Sequence, residues 1–169
     1  VENFRYGFLL QNSNYDNIIN NTLINGEFGI VLSRTSYSLF ENNTVENNND
    51  KGILLEISTY NIVKHNKIYN NFNEGFLIDD YNNLIYGNTI KGNNIGMRIS
   101  SISNSIYDNF FNNYLNVFVG SLSNFLNTTK DCSQQNIVGG PCIGGNFWAN
   151  PDGTGFSETC EDLDNDGIC

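Results

Sequence analysis

Five glycines recur at nearly constant intervals, and each begins a similar phrase of alternating apolar residues. The intervals between successive glycines are 22, 23, 23 and 21 residues. Repeats of this length are typical of solenoids, in which each repeat packs only against its neighbours. The repeat therefore constrains the architecture strongly and the chemistry only weakly. The five glycines are Gly7, Gly29, Gly52, Gly75 and Gly96.

Each repeat has three further fixed positions: an apolar residue in the middle, an asparagine 13 or 14 residues after the glycine, and an apolar residue two positions later. Apolar residues at every second position predict short strands. Asparagine and glycine fit the turns between them, because both tolerate left-handed backbone conformations. No segment has helical periodicity, so we expect almost no helix. The recurring asparagines are Asn21, Asn43, Asn66, Asn88 and Asn109.

A repeat of this size cannot bury its own apolar face, but it can do so as one rung of a coil stacked about 4.8 Å from the next. We predict an all-β fold, a single right-handed parallel β-helix over residues 1–128, followed by an irregular cap over residues 129–169. Leucine-rich repeats and left-handed hexapeptide helices would need consensus patterns that the sequence lacks. Two inward stacks and an asparagine ladder are expected. The stacks are Phe8, Ile30, Ile53, Phe76 and Met97, and Leu10, Leu32, Leu55, Ile78 and Ile99.

These landmarks over residues 7–113 resemble the broad family of right-handed parallel β-helix repeat proteins, which includes NosD-like and carbohydrate-binding or sugar-hydrolase-like members. The tail sequence from Gly144 to Trp148 and the later Asp-x-Asp-x-Asp-Gly motif resemble the ending of secreted archaeal β-helix surface proteins. The resemblance implies an extracellular, cell-surface location. Copper binding by NosD-like members would need several His, Met or Cys ligands, and the sequence has one histidine and one methionine.

The net charge of −10, with only 8 Lys and Arg, disfavours nucleic acid as a partner, since phosphate binding needs clustered cations. Acidic polysaccharides are disfavoured as well, unless a metal bridges them. No apolar run approaches 18 residues, so we expect no membrane span. Residues 1–3 repeat residues 45–47, which places the start inside a rung. We expect the chain to belong to a longer polypeptide, or its open edge to be covered by a partner subunit.

All four cysteines lie in the last 38 residues, which predicts two disulfides that hold an irregular tail. Of the three possible pairings we favour the local one, Cys132 with Cys142 and Cys160 with Cys169. A four-thiolate zinc site is the alternative, although no C-x₂-C pair is present. Three sequons, which are weak support for secretion, predict glycosylation at Asn20, Asn42 and Asn127.

Asp162, Asp164 and Asp166, followed by Gly167, match the first half of a calcium-binding loop. The acidic residue expected at loop position twelve would lie beyond Cys169. We therefore predict either a calcium site completed by other loops, such as the one with Asp152, or an acidic solvated terminus. Apart from this calcium ion, we expect no cofactor.

The weak candidates for catalysis are Glu56, Asp79 and Asp80. Stacking would place Glu56 and Asp79 about 5 Å apart on an outward edge, with Asp80 beside them. Paired carboxylates could serve glycoside hydrolysis or hold a hard cation, and Arg98 could reach Asp79. The alternative is a solvated acidic edge with one ion pair. Asp79-Asp80 resembles the Asp pair of polygalacturonases, but that family's G-H-G and NTD motifs are absent. His65, the single histidine, is expected on the surface.

Four aliphatic residues two positions after the glycines, Leu9, Val31, Leu54 and Leu77, should form an exposed apolar stripe. Either the tail with Phe147 and Trp148 covers this stripe, or another subunit docks there. Tyrosines near one turn predict either a sugar platform or turn packing. They are Tyr15, Tyr37, Tyr60 and Tyr81.

The regular repeat, the sparse catalytic residues and the apolar stripe favour a non-enzymatic extracellular module. It would be a structural or adhesive part of a surface layer, filament or sheath, with protein subunits as partners. The alternative is a carbohydrate-binding or carbohydrate-active β-helix with polysaccharide as its partner. Long insertions around a cleft would favour the enzyme, and repeat lengths vary only from 21 to 23 residues.

Overall fold

The chain is an all-β parallel solenoid in the computed structural model, which describes residues 4–121 and 123–163. Three short strands make one rung, and each strand pairs in parallel with its equivalent in the next rung. The predicted fold class is confirmed. Helix is confined, within the described residues, to the single turn α1 at Phe156–Thr159.

Each of the three sheets runs the length of the solenoid, and we number them in the order in which the chain enters them. Sheet one contains β1 (Tyr6–Gln11), β4 (Phe28–Ser33), β7 (Lys51–Glu56), β10 (Glu74–Ile78), β13 (Ile95–Ile99) and β16 (Leu115–Val119). Sheet two contains β2 (Asn17–Ile19), β5 (Leu39–Glu41), β8 (Ile62–Lys64), β11 (Leu84–Tyr86) and β14 (Ser105–Tyr107). Sheet three contains β3 (Thr22–Ile24), β6 (Thr44–Glu46), β9 (Lys67–Tyr69), β12 (Thr89–Lys91), β15 (Phe110–Asn112) and β17 (Phe147–Ala149).

The core consists of columns of equivalent inward side chains. Both predicted stacks are in register in sheet one, and only their first members, Phe8 and Leu10, are partly exposed. Because each ring or branched chain lies between like neighbours, the interior is apolar along its whole length. The column from sheet three is Leu23, Val45, Ile68, Ile90 and Phe111, and Trp148 follows Phe111 in register.

The corners between strands hold the second repeated element, a buried asparagine preceded by a residue with positive φ. The backbone and side-chain amides of Asn66 both donate to Oδ1 of Asn88, at 2.9 and 3.0 Å. These bonds satisfy buried polar groups that a tight turn would otherwise leave unpaired. The predicted ladder is present and is extended by Asn146. Two further ladders occupy the other corners, at Asn48, Asn71, Asn93, Asn113 and Asn116, and at Ser38, Asn61, Asn83, Asn104 and Asn124.

After Phe125, which extends sheet two through a parallel bridge to Ser105, the chain leaves the regular coil and then returns to it. The predicted disulfide between Cys132 and Cys142 is present in this excursion. The partner predicted for Cys160, Cys169, lies outside the described residues. Strand β17 falls within the predicted cap, yet it pairs in parallel with β15 of the solenoid. Helix α1 packs on β17, where the Trp148 amide donates to Oγ of Ser157 at 2.9 Å. Over the two described ranges, none of the helices has the length and hydropathy that a bilayer crossing requires.

Candidate functional site

The outward side chains of sheet one, which we call the outer face, contain the predicted aliphatic stripe. Leu9, Val31, Leu54 and Leu77 are in register, and the column continues into Arg98 and Phe118. Leu9 is 47% exposed, whereas Val31 is only 5% exposed. Leu54 and Leu77 are half-buried. The expectation that all four are exposed is therefore wrong for Val31, which Leu9 and Leu54 flank on both sides.

A buried carboxylate lies on the outer face with a cation on either side. The Glu74 side chain is 6% exposed, and its Oε1 accepts a hydrogen bond from Nε of Arg98 at 2.8 Å. Its Oε2 lies 3.5 Å from Nζ of Lys51, and that amine also donates to Asp50 at 2.8 Å. Charge pairing and hydrogen bonding offset the cost of burying Glu74, so the three charges are held in fixed positions.

The sequence indicated that Arg98 could reach Asp79, whereas in the structure Arg98 pairs with Glu74. If side chains alternated strictly between the core and the outer face along each strand, the residue before each glycine would point inward. Glu74 instead meets Arg98, which lies two residues after the equivalent glycine of the next rung. The alternation therefore breaks at the glycine, and both positions belong to the outer face. One position of the repeat, directly before the glycine, is occupied by Phe28, Lys51 and Glu74 in successive rungs. Their equivalent positions in the sequence are the signal that could have identified this column.

Aromatic rings adjoin both cations of the network. The guanidinium of Arg98 lies 4.6 Å from the ring centroid of Phe118, and Nζ of Lys51 lies 5.6 Å from that of Phe28. Both distances fall within the range of cation–π attraction. Tyr6 stacks on Phe28 with a centroid distance of 5.4 Å. The outer face thus combines flat apolar rings with positioned charged donors and acceptors.

The three carboxylates predicted as a weak catalytic group lie at the edge of this face in different environments. Glu56 and Asp79 are exposed, while Asp80 is 9% exposed. Oδ1 of Asp80 accepts a hydrogen bond from the backbone amide of Tyr81 at 3.0 Å. The backbone carbonyl of Asp80 accepts one from the hydroxyl of Ser101 at 2.8 Å. Asp80 therefore stabilises a turn. Its role in catalysis, like that of Glu56 and Asp79, stays a prediction.

The tyrosine column at the first corner is shorter than the sequence indicated. Tyr15, Tyr37 and Tyr60 stack with centroid distances of 5.3 and 5.1 Å. Tyr81 does not continue the column, because Asn82 takes the positive-φ position of that rung. Rings stacked on one another present their edges and hydroxyls outward and expose a face only at the column ends. Turn packing therefore accounts for this column better than a sugar platform does.

His65 lies at another corner, where its ring contacts Tyr86 edge-on at 5.6 Å. It is exposed, as expected for a lone surface histidine. Two of the predicted glycosylation positions, Asn20 and Asn42, are exposed at the same corner one rung apart, and Asn127 is exposed in the tail. Their positions leave room for a glycan, and glycosylation stays a prediction.

A cavity of about 380 Å³ lies between the last rungs and the tail that returns over them. Asp108 reaches it from the solenoid, and its Oδ1 accepts the amide of Ile137 at 2.8 Å. Burial raises the pKa of Asp108, while the bond from Ile137 and the charge of His65 act in the opposite direction. Nothing in the sequence pattern predicted this cavity, because the tail lacks the repeat. Its aromatic and carboxylate lining residues are Asp108, Phe147, Trp148, Phe156 and Asp162.

Of the three residues predicted to bind calcium, one lies within the described residues. Asp162 lines the cavity, whereas Asp164 and Asp166 lie outside the described residues. Within residues 4–121 and 123–163, no three His, Cys, Asp or Glu side chains are grouped as a metal site requires. The calcium site stays a prediction.

Three parallel sheets, stacked rungs and polar corner ladders define the chain as a parallel β-helix protein. The sequence model of the family described as "Periplasmic copper-binding protein (NosD)" matches residues 1–153, and the chain belongs to this family. A solved structure of similar fold is the periplasmic alginate epimerase AlgG, with 25% identity and a TM-score of 0.55. The match covers 72% of this chain and 35% of that one, so this chain spans about a third of the epimerase. Among the curated proteins, none matches this sequence.

The family description names copper, and the ligands that copper prefers are sparse here. Copper is held by imidazole, thioether and thiolate groups. His65 is the chain's single histidine, Met97 is fully buried in the core, and Cys132 and Cys142 are joined to each other. These side chains do not come together, so the described residues do not fit a copper site.

Proposed function

We propose that this chain is an extracellular or periplasmic polysaccharide-binding β-helix protein that holds a glycan along its outer face. The observation that carries the proposal is the fixed network of Lys51, Glu74 and Arg98, flanked by Phe28 and Phe118. Protein sites for sugars need flat apolar surfaces for the ring faces and positioned polar groups for the hydroxyls. The outer face supplies both over several rungs. The alginate epimerase, which acts on a polysaccharide, supports this class of ligand.

The charge balance favours a neutral polysaccharide over an acidic one. The two cations of the network already face Glu74 and Asp50, and the whole chain carries a net charge of −10. A polyanion would meet a repulsive field on approach. A neutral chain would instead exchange hydroxyl hydrogen bonds with charged groups that are already in position.

Binding is favoured over glycosidic bond cleavage on the same face. Hydrolysis uses two carboxyl groups in different environments, one of which is held protonated. Glu56 and Asp79 are both exposed, and Asp80 is engaged in a turn. An enzyme that uses these three residues remains the alternative, and loss of sugar cleavage in Asp79→Asn would favour it.

A second candidate function is the structural or adhesive module, with protein subunits as partners. The observation that favours it is the in-register stripe, of which Leu9 is 47% exposed. Replacing Leu54 and Leu77 by Lys should then abolish self-association in light scattering and leave the circular dichroism spectrum unchanged. Self-association that survives this change would exclude the stripe as an interface.

Affinity gel electrophoresis against neutral glucans, mannans and xylans, with alginate and pectate alongside, tests the main proposal. We expect retardation by a neutral polysaccharide and at least a fivefold weaker effect for Phe118→Ala and Arg98→Gln. Lys67→Ala is the matched control, because Lys67 is an exposed cation on sheet three. Retardation by none of the polysaccharides, or equal retardation of all three variants, would overturn the proposal.

A further inference from the structure

The cavity beneath the returning tail is built differently from the outer face. Trp148 is the last member of an inward column, with its ring stacked on Phe111 at 4.8 Å. The same residue lines the cavity, together with Phe147 and Phe156. Aromatic side chains thus form part of the wall where the regular core ends. The volume of about 380 Å³ falls within the range of small-molecule pockets.

The charge of the lining has one sign. Asp108 and Asp162 contribute carboxylates, and the described lining contains no Lys, Arg or His. Asp108 is half-buried, and Oδ1 accepts a backbone hydrogen bond from Ile137. Desolvation of this carboxylate is therefore only partly offset by the protein.

We propose that this cavity binds a small organic cation, an ammonium group that carries apolar substituents. The carboxylate of Asp108 pairs with the charge, and the aromatic wall contacts the substituents through cation–π and apolar contacts. The net charge of −10 raises the local concentration of cations and excludes anions. A bare hard metal ion would need six to eight oxygen ligands, which suits an aromatic wall poorly.

The chain carries its own reporter for this binding, because Trp148 is its single tryptophan. Fluorescence of the full chain is titrated with choline and, separately, with 3,3-dimethylbutanol, which has a similar shape without the charge. We expect a saturable change with choline and at least tenfold weaker binding of the neutral analogue. Glucose serves as a further neutral probe. Absence of a saturable choline signal, or equal affinity for choline and a neutral probe, would overturn the proposal.

Asp108→Asn is the decisive variant, because it removes the charge and keeps the architecture. Asparagine tolerates the φ of 53° at this position, and its Oδ1 can still accept the amide of Ile137. We expect at least tenfold weaker choline binding. Asp131→Asn is the control, since Asp131 is a partly exposed carboxylate of the tail that does not line the cavity. Unchanged binding in Asp108→Asn would overturn the assignment. Polysaccharide retardation in this variant should be unaffected, so the two proposals can fail separately.

Discussion

Asn109 donates to Oδ1 of Asn146 through its backbone amide at 3.1 Å and its side chain at 3.0 Å, although 37 residues separate the two. Asn146 in turn donates to the carbonyls of Ile106 and Leu126 at 2.9 and 2.8 Å. The tail therefore completes a ladder that the regular repeats leave open at their last rung. Cap and solenoid share one hydrogen-bond system, and we expect them to unfold together.

Replacing Asn66 by Asp should strongly destabilise the whole solenoid. The Asn66 side-chain amide donates to the carbonyl of Phe40 and to Oδ1 of Asn88, and a carboxylate would face both acceptors without a proton. A buried charge of this kind costs about 3–5 kcal/mol, a large part of the total stability. Urea unfolding measures the loss.

The matched control for this prediction is Asn47→Asp. Asn47 is exposed at a neighbouring corner, has a φ of 55° and precedes the ladder residue Asn48. The same chemical change there should cost less than about 1 kcal/mol. Equal effects at both positions would show that the ladder bonds contribute little.

Gly87→Ala should be destabilising for two separable reasons. The φ of Gly87 is +65°, and an added Cβ would lie 2.6 Å from Nδ1 of His65. The backbone cost alone is about 1–2 kcal/mol. Thermal unfolding should show a smaller loss of stability for Gly87→Ala in the His65→Ala background than in the parent, because the clash with the ring is then gone.

Gly153→Ala isolates the backbone part of this effect. Gly153 has a φ of +76°, and an added Cβ would meet nothing within 4 Å. Its cost should equal that of Gly87→Ala in the His65→Ala background. If Gly87→Ala costs the same with and without His65, the ring does not restrict this position.

Asp108 should make the protein less stable as the pH rises. Burial raises its pKa above the ordinary 3.8, so the folded chain holds the proton to higher pH than the unfolded chain. Where the folded state binds more protons, stability falls with rising pH. Asp108→Asn should therefore melt at a higher temperature than the parent near pH 7, and this difference should vanish below about pH 3.

Asp131→Asn should show the opposite trend. Hydrogen bonds from Ser133 and Gln134 lower the pKa of Asp131, so its contribution to stability is present at neutral pH and lost in acid. Melting curves from pH 3 to 7 compare the two variants directly. A pH-independent difference between Asp108→Asn and the parent would show that burial does not perturb this carboxyl group.

Calcium binding by Asp162, Asp164 and Asp166 predicts that a chelator lowers the melting temperature. A ligand that binds only the folded chain stabilises it by mass action, by about 2.7 kcal/mol at a hundredfold excess over the dissociation constant. Asp164→Ala should abolish the response to calcium. Melting that is independent of calcium in the parent would leave the acidic tail without a metal.

The sequence predicts the coil well because every rung repeats the same local pattern of apolar residues and asparagines. Ile53 and Leu55 recur as apolar residues around an outward position, and Asn66 recurs at a corner, so strands, stacks and one ladder follow from spacing alone. The ladder through Asn71 and Asn93 has the same periodicity, so it is equally predictable from spacing.

The candidate sites were less predictable because they depend on contacts outside the repeat. The pairing of Glu74 with Arg98 follows from the break in alternation at the glycine, which a strict period of two does not contain. The cavity at Asp108 forms where residues 136–162 fold back over the last rungs. Such a return is set by tertiary packing and by the Cys132–Cys142 disulfide, for which spacing gives only the possible pairings.

The ladders also bear on how a protein of this kind can change its length during evolution. In each middle rung the ladder asparagine accepts a hydrogen bond at Oδ1 from the previous rung and donates its backbone amide to Oδ1 of the next. Asn43, Asn66 and Asn88 are linked in this way. Duplication of a complete repeat, such as residues 52–74, would lengthen the molecule by about 4.8 Å and recreate every class of contact. Insertion of one residue inside a rung would shift all later corners out of line. Growth is therefore tolerated in whole repeats, and the tail that contains Asn146 can close a coil of any number of rungs.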